Sequence, residues 1–386
     1  MNHRQRVLAV LNHQEPDRVP VDLGSTRNTG ILIEAYQGLL EYLKPGSQLL
    51  RQDDFGQSKI ARIAIPSEDI LQQLDIDFRG LFLGKPDRPL ERMLPDGSHQ
   101  DELGVIRQRP PGSYYYDIVH FPLDHELSVS DLRNLKWPDP ADPGYIRGLR
   151  EEAKTLRQTT DYALVLHLQD IIIHPSQYML GFERWYLDFL QEPKLMEALL
   201  DILLEIRTEL AVAALQEVGD LIDVVSSSDD IADQRGPMIS PKMYRQFIKP
   251  RHMHYFEALR AHTKAKILYH SCGSVVTLIP DFIDQGIDFI NPVQVSAANM
   301  DTSHLKKEYG DKIGFWGAID TMHVLPFGKP EQVRVEVKQR IHDLAPGGGY
   351  VLAAVHNIQP NVPPQNILAM FEAACEYGTY PIKESL

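Results

Sequence analysis

Two residues at the end of a short apolar run carry the clearest chemical signal in the sequence. The run 266–270 ends in His270, Cys272 follows two residues later, and Gly273 breaks the pattern. At the end of a strand, residues i and i+2 project to the same side, so His270 and Cys272 could offer an imidazole nitrogen and a thiolate to one metal ion such as zinc. The alternative is a half-buried cysteine beside a hydrogen-bonded histidine, and position in the fold has to decide.

The elements around this pair predict an α/β fold. From about residue 160, apolar runs of strand length alternate with amphipathic runs of helical length, such as 193–217. The runs are 163–168, 222–226, 266–270, 289–293, 313–317 and 349–355, and two further strands are placed at 18–22 and near 74–78. Each late run leads directly into polar residues. The pattern predicts a (β/α)8 TIM barrel whose active site lies in the loops after the strands.

Several polar or aromatic side chains at these strand ends are candidates for the site. The candidates for substrate contact are His167, Asp170, Asp229, Asn291, Gln294 and Trp316. Asp229 and Asp230 are adjacent after a strand, so one should face the barrel mouth and the other the helices. Asp230 is the candidate catalytic carboxylate, which would orient substrate, complete a metal shell or take a proton. Capping of the next helix is the alternative for this pair, and satisfied polar groups of the core are the alternative for the others.

The stretch from about 84 to 145 fits no strand-helix unit. A turn signal at 95–98 and a strand-like run at 112–120 predict an antiparallel ribbon inserted over the barrel mouth. Tyr114, Tyr115 and Tyr116 would then line a lid over an aromatic substrate, or simply pack as a strand. With this insertion, we expect residues 1–386 to form one barrel domain.

Composition excludes several classes of partner. The 386 residues carry a formal net charge of -14, which argues against binding to nucleic acid or to an anionic membrane. No apolar run approaches the roughly 20 residues of a membrane span. The amino-terminal residues read as a short amphipathic helix rather than a signal peptide, so we expect a cytoplasmic protein. The two cysteines, Cys272 and Cys375, provide no disulfide framework.

The chain resembles the uroporphyrinogen decarboxylase superfamily in several segments taken in order. These segments are 13–21, 228–244, 270–273, 315–320 and 356–360. The resemblance implies a (β/α)8 barrel, in agreement with the periodicity. One branch of this superfamily decarboxylates a porphyrinogen without a cofactor. Another branch consists of methyltransferases of corrinoid-dependent methyl metabolism, which use zinc.

Three comparisons within the sequence separate the two branches. True decarboxylases resemble one another in an Arg-Gln-Ala-Gly-Arg segment, and the matching stretch here has only Arg18 and Arg27 nearby. The methyltransferase branch carries its first two zinc ligands as His-x-Cys, which corresponds to His270 and Cys272. At the place of its third ligand, a cysteine, this chain has His356, which the decarboxylases also carry. Imidazole is a good zinc ligand, so a His/Cys/His site is chemically sound.

The rival third ligand is Cys375. It lies in a carboxyl-terminal amphipathic helix that should belong to the outer ring of the barrel, where we expect a packed core thiol. His252 and His254 lie two apart on a predicted helix, so their rings point in different directions and do not share a metal.

The resemblance implies a zinc-dependent methyltransferase that moves a methyl group from a small methylated compound to a corrinoid protein or a thiol. A methoxylated aromatic is the preferred donor, and a partner protein would supply the corrinoid because the chain lacks an Asp-x-His-x-x-Gly motif. The resemblance also suggests a homodimer. The alternatives are a metal-free decarboxylase of a smaller carboxylated substrate, in which His356 and an aspartate reprotonate a carbanion, and a non-catalytic module that binds a corrinoid or tetrapyrrole.

Overall fold

Strands and helices alternate along the computed structural model, which describes residues 1–46 and 60–382. The strands are β1 (Phe78–Phe82), β2 (Arg92–Met93), β3 (His99–Gln100), β4 (Ile106–Gln108), β5 (Asp117–His120), β6 (Ala163–Asp170), β7 (Val224–Ser228), β8 (Lys266–His270), β9 (Phe289–Asn291), β10 (Gly314–Ile319) and β11 (Tyr350–Ala354). The helices before β6 are α1 (His3–Leu11), α2 (Ile33–Leu43), α3 (Glu68–Gln73), α4 (Val129–Arg133) and α5 (Leu149–Thr159).

The later helices lie between and after the strands of the barrel. They are α6 (Ile173–Leu180), α7 (Phe182–Gln191), α8 (Pro193–Val218), α9 (Pro241–Met243), α10 (Lys249–His262), α11 (Ile279–Asp284), α12 (Thr302–Tyr309), α13 (Val324–Phe327), α14 (Pro330–Leu344) and α15 (Pro364–Tyr377). A π-helical turn, Tyr244–Ile248, joins α9 to α10. None of the helices within the described ranges is both long enough and apolar enough to span a membrane.

Seven parallel strands form one sheet in the order β1-β6-β7-β8-β9-β10-β11. The segment around Val21 joins its two ends: Val21 forms a parallel bridge with Leu352 of β11, and its carbonyl accepts the amide of Asp77, just before β1, at 3.0 Å. The predicted (β/α)8 class is therefore confirmed. The predicted strand at 18–22 is reduced to two isolated bridges, this one and one between Arg18 and Thr379, because Pro20 has no amide hydrogen for a ladder. The strand predicted near 74–78 begins only at Phe78 and runs on to Phe82.

Alternation along the strands divides the apolar side chains into two layers. One cluster fills the barrel interior, and α1 covers its amino-terminal end with apolar side chains of its own. The cluster contains Val7, Val10, Leu11, Phe78, Ala163, Val165, Val224, Leu268, Phe289, Trp316, Val351 and Ala353. The other side chains of the same strands, such as Leu164 and Val225, pack against the helices. On β8, Leu268 lies inside this cluster, so His270 lies one inward position nearer the carboxyl end.

The predicted insertion is a four-stranded antiparallel ribbon in the order β2-β3-β4-β5. The predicted turn at 95–98 is present, with Gly97 at a φ of 83° and its amide bonded to the carbonyl of Leu94. The strand predicted over 112–120 is shorter, at Asp117–His120, so the tyrosines at 114–116 precede it. The Tyr115 hydroxyl donates to Oε1 of Gln359 in the loop after β11, which brings this part of the ribbon to the barrel mouth.

Candidate functional site

The strand end of β8 positions His270 and Cys272 on the same side, as their spacing predicts. The Cys272 sulfur lies 3.4 Å from Nε2 of His270. The other ring nitrogen of His270, Nδ1, donates to Oδ1 of Asn291 at the end of β9, at 2.5 Å. Asn291 in turn donates from Nδ2 to the Trp316 carbonyl at 3.3 Å. This chain of contacts fixes the His270 ring so that Nε2 faces the cysteine.

His356 completes a cluster of three potential ligands. It follows β11, and its ring centroid lies 5.5 Å from that of His270 in an edge-to-face arrangement. The donor atoms of His270, Cys272 and His356 all lie within 4.8 Å of one another. Two imidazoles and a thiol at these separations form a donor set that suits zinc.

Burial sets the protonation of this cluster. It lowers the pKa of His270, against the charge of Asp230, and burial together with His270 lowers the pKa of His356 to about 4. Burial and the Asp230 carboxylate raise the pKa of the Cys272 thiol well above its usual value. The two imidazoles are therefore neutral, which is the form that ligates a metal, whereas the thiol must lose a proton on binding one.

Asp230 faces this cluster from the loop after β7. Its Oδ1 accepts the Cys272 amide at 2.7 Å and lies 3.8 Å from Nε2 of His270. Its Oδ2 lies 3.5 Å from Nε2 of His174. Burial opposes ionisation of Asp230, but the charge of His174 outweighs burial and lowers the pKa of the carboxyl. Asp230 is therefore a carboxylate at the mouth.

Sequence reasoning missed His174. It lies in the first turn of α6, and its Nδ1 is 3.7 Å from Oδ2 of Asp170 at the end of β6. Asp170 ends β6 and His174 lies at the start of α6, so the short turn between strand and helix brings the two side chains together. The contact with His174 outweighs the effect of burial and lowers the pKa of Asp170 to about 2.

Two more predicted residues lie at the same end of the barrel. His167 is buried, its Nδ1 has no hydrogen-bond partner among the described residues, and burial and the charge of Arg27 lower its pKa to about 3. Gln294 accepts the Gly273 amide at 2.6 Å and so holds the loop that carries Cys272. Asn291 and Gln294 thus contact the residues that carry the cluster, and His167 and Asp170 are near enough to His270 to interact with it electrostatically.

The structure places two of the predicted substrate contacts away from the mouth. Asp229 is fully buried on the helix side, where it accepts the amides of Ile172 and Ile173 at 2.8 and 2.9 Å and bonds Nε2 of His252 at 3.0 Å. It therefore binds the first amides of α6, an earlier helix, and not those of the next helix, which the alternative interpretation named. Trp316 is also fully buried, in the interior layer, and its Nε1 donates to Asp22 at 3.0 Å. Neither side chain reaches the mouth.

Cys375 lies away from the site. It is on α15 and is exposed, not the packed core thiol predicted from its helix. Its charged neighbours include Arg18 and Asp77, which lie at the amino-terminal end of the barrel. His252 is buried and paired with Asp229 in the helix layer, whereas His254 is exposed. The two rings therefore point in different directions, as their spacing predicts.

Comparisons with known proteins agree with this architecture. A family model described as uroporphyrinogen decarboxylase (URO-D) matches residues 123–377. A uroporphyrinogen decarboxylase from Pseudoalteromonas translucida is 26% identical over 192 residues, which cover 48% of this chain and 50% of the relative. One from Herminiimonas arsenicoxydans is 24% identical over 169 residues, covering 40% and 43%. The chain thus spans about half the length, or less, of the curated relatives it matches.

A solved structure of similar fold covers almost the whole chain. A structure described as a methyltransferase from Methanosarcina mazei has a TM-score of 0.67 and 20% identity, and covers 98% of this chain and 99% of its own. At this identity the likeness concerns the fold alone. The family match, by contrast, extends over both β8 and β11, which position the three-ligand cluster. On that match, the chain belongs to the uroporphyrinogen decarboxylase family.

Proposed function

We propose that the protein is a zinc-dependent methyltransferase that moves a methyl group from a small methylated compound to a thiol or to a corrinoid carried by a partner protein. The observation that carries this proposal is the cluster of His270, Cys272 and His356, whose donor atoms lie within 4.8 Å of one another at the barrel mouth. Three protein ligands with a fourth position left for water or substrate are typical of catalytic zinc sites.

The distance between the first two ligands of the cluster matches that of a zinc site. A tetrahedral zinc ion with ordinary bond lengths separates a nitrogen ligand from a sulfur ligand by about 3.5 Å. The observed distance from Nε2 of His270 to the Cys272 sulfur is 3.4 Å. The hydrogen bond between His270 and Asn291 is the kind of outer contact that orients a zinc-bound histidine.

The chain's own residues would do the rest of the binding. Zinc held by the cluster would supply Lewis acidity toward the substrate atom that carries the methyl group. Asp230 holds the Cys272 amide and presents its second oxygen toward His174. Tyr115, through its bond to Gln359, covers part of the mouth with an aromatic ring, which favours a methoxylated aromatic as donor. The likeness in fold to a protein described as a methyltransferase supports this branch of the family.

A second candidate function is decarboxylation of a small carboxylated substrate without a metal. It is favoured by Arg27, whose buried Nε has no hydrogen-bond partner among the described residues and whose charge acts on His167 and Asp170. A guanidinium of this kind is suited to a carboxylate. In this case His356 would take part in proton transfer rather than metal binding.

Metal analysis of the purified full chain separates the two candidates. We expect about one zinc per chain, and transfer of the methyl group of a methoxylated benzene to reduced free cobalamin as the probe acceptor. His270→Ala, Cys272→Ser and His356→Ala should each weaken zinc binding by more than the 10- to 100-fold that loss of an outer contact causes. Cys375→Ala is the matched control, because that thiol is exposed and distant.

Three results would contradict the proposal or part of it. A chain that contains no zinc and releases carbon dioxide from a small carboxylic acid would support the second candidate. A coloured bound ligand without zinc or turnover would support a binding module. If Cys375→Ala empties the site and His356→Ala does not, the third ligand is wrongly assigned.

A further inference from the structure

His174 is held between two carboxylates at the barrel mouth. Its Nδ1 lies 3.7 Å from Oδ2 of Asp170, and its Nε2 lies 3.5 Å from Oδ2 of Asp230. Both distances are those of ion pairs and exceed the length of a normal N–H···O hydrogen bond. Neither N–H group of the ring is therefore committed to a short hydrogen bond within the protein.

The Asp230 carboxylate lies between the His174 ring and the three-ligand cluster. Asp230, which contacts His174 through Oδ2, accepts the Cys272 amide through Oδ1 at 2.7 Å and lies 3.8 Å from Nε2 of His270. The His174 side chain is 19% exposed and that of Asp170 is 41% exposed, so both are reached from the mouth. A substrate atom bound at the cluster would have His174 as a near cationic neighbour.

The surroundings of His174 favour its protonated form. The titratable groups beside it are Asp170, Tyr178 and Asp230, and Arg107 lies over the Tyr178 ring. His270 and His356 interact with it electrostatically. Burial by itself lowers the pKa of His174, and Tyr178 with the carboxylates of Asp230 and Asp170 raises it well above its usual value. Two carboxylates on opposite sides of one ring thus favour the imidazolium form of His174.

We propose that His174 is the catalytic acid that protonates the leaving group of the methyl donor, an inference that rests on the methyl transfer proposed above. The electron pair of the acceptor, a thiolate or a reduced corrinoid, forms the new bond to the methyl carbon. The bond between that carbon and the ether oxygen breaks, and its electron pair stays on oxygen. The oxygen takes the proton of His174, and the neutral ring is later reprotonated from water. Asp170 and Asp230 are positioning residues for this ring.

A catalytic acid at this position determines which methyl donors the enzyme can use. A catalytic acid is needed most when the departing oxygen is strongly basic, as in an alkyl ether or the ether of a weakly acidic phenol. The site would therefore accept donors whose leaving groups are poor. Without the acid, the rate should depend steeply on the acidity of the phenol that leaves.

The test compares methyl ethers of phenols of graded acidity, from 4-nitroanisole to 4-methylanisole, with reduced free cobalamin as the probe acceptor. His174→Gln should lose about 10²-fold or more in rate with the ether of the least acidic phenol, the usual contribution of a catalytic acid. Its loss with 4-nitroanisole should be much smaller. His254→Gln on the exposed face of α10 is the matched control and should follow the wild type across the series.

The outcomes separate this proposal from the proposed function. If the wild type demethylates the series and His174→Gln loses the same factor with every ether, His174 is not the acid. If the wild type demethylates none of them, the methyl transfer itself is wrong. Nitrogen-15 spectra of histidine-labelled protein give a readout without turnover: the signal missing in His174→Gln should be protonated at pH 8, and a neutral ring there would overturn the proposal. Asp170→Asn, which keeps the ring, should lower the pH at which this signal titrates.

Discussion

At the scale of single residues, the chemistry of the mouth depends on which way two adjacent aspartates point. The sequence predicted that Asp229 and Asp230 face opposite sides, because residues alternate along a strand. Alternation alone does not say which residue faces the mouth. Tertiary contacts decide this. The first amides of α6 and the ring of His252 form hydrogen bonds with Asp229, so Asp230 is the residue that faces the site.

Substitution of the two aspartates should therefore have opposite effects. Asp229→Asn removes a charge that accepts amide hydrogens and pairs with His252 in a fully buried position, so the free energy of unfolding should fall by about 2 kcal/mol. Asp230→Asn should change it by less than about 1 kcal/mol, because its ion pairs are partly exposed, while methyl transfer falls about 10²-fold. Urea unfolding and the cobalamin assay on both variants make the comparison. If the Asp229→Asn variant is as stable as the wild type but inactive, Asp229 belongs to the active site and this assignment is wrong.

At the scale of elements, the sequence predicted the late strands well and the early ones poorly. Runs such as 163–168 and 266–270 are apolar because both of their faces are buried, and that pattern is visible without a structure. The run 18–22 contains Pro20 and pairs through isolated contacts, so its strand character depends on neighbours distant in the chain. His174 could not be predicted from the polar strand ends, because it lies in the first turn of a helix.

The loop after β8 depends on one glycine. Gly273 has a φ of 92°, and a Cβ there would lie 2.5 Å from the Asp233 carbonyl oxygen and 2.7 Å from the Ala232 backbone. Gly273→Ala should therefore cost about 1–3 kcal/mol in unfolding free energy and weaken zinc binding, because Cys272 must move with the loop. Gly236→Ala is the matched control, since no atom lies within 4 Å of its added Cβ. Unaltered zinc binding and stability in Gly273→Ala would show that the loop adapts without moving the ligand.

At the scale of the whole molecule, stability and chemistry lie at opposite ends of the barrel. The cluster of His270, Cys272 and His356 is at the carboxyl ends of the strands, whereas Asp77 is buried at the amino end. Asp77 accepts from Nη1 of Arg6 at 2.7 Å, from Nη1 of Arg18 at 2.8 Å and from the amide of Val21 at 2.8 Å. It thus ties α1 and the closing segment to β1. That residues 1–386 form one domain stays a prediction, for which a single cooperative unfolding transition is the expected sign.

Asp77→Asn tests whether this contact closes the barrel. The substitution removes the buried carboxylate from Arg6 and Arg18, which keep only their more exposed partners Asp17 and Asp75. The free energy of unfolding at pH 7 should therefore fall by about 2–3 kcal/mol, while zinc content per folded chain stays the same. Asp311→Asn, at an exposed position, is the control and should change the unfolding free energy by less than about 0.5 kcal/mol.

The difference in unfolding free energy between the wild type and Asp77→Asn should depend on pH, because it arises from the charge of Asp77. Burial alone would raise the pKa of Asp77, but the hydrogen bond from His3 and the charges of Arg18 and Arg6 outweigh burial and lower it. A carboxyl whose pKa is lower in the folded state stabilises fully above its unfolded value of about 3.9, and this contribution is lost as the pH falls toward the folded value. The gap between wild type and Asp77→Asn should therefore be constant from pH 7 to about pH 5 and narrow below about pH 4. Urea titrations followed by circular dichroism at pH 7, 5 and 3.5 measure it, and a gap that does not narrow in acid would mean that packing rather than charge closes the barrel.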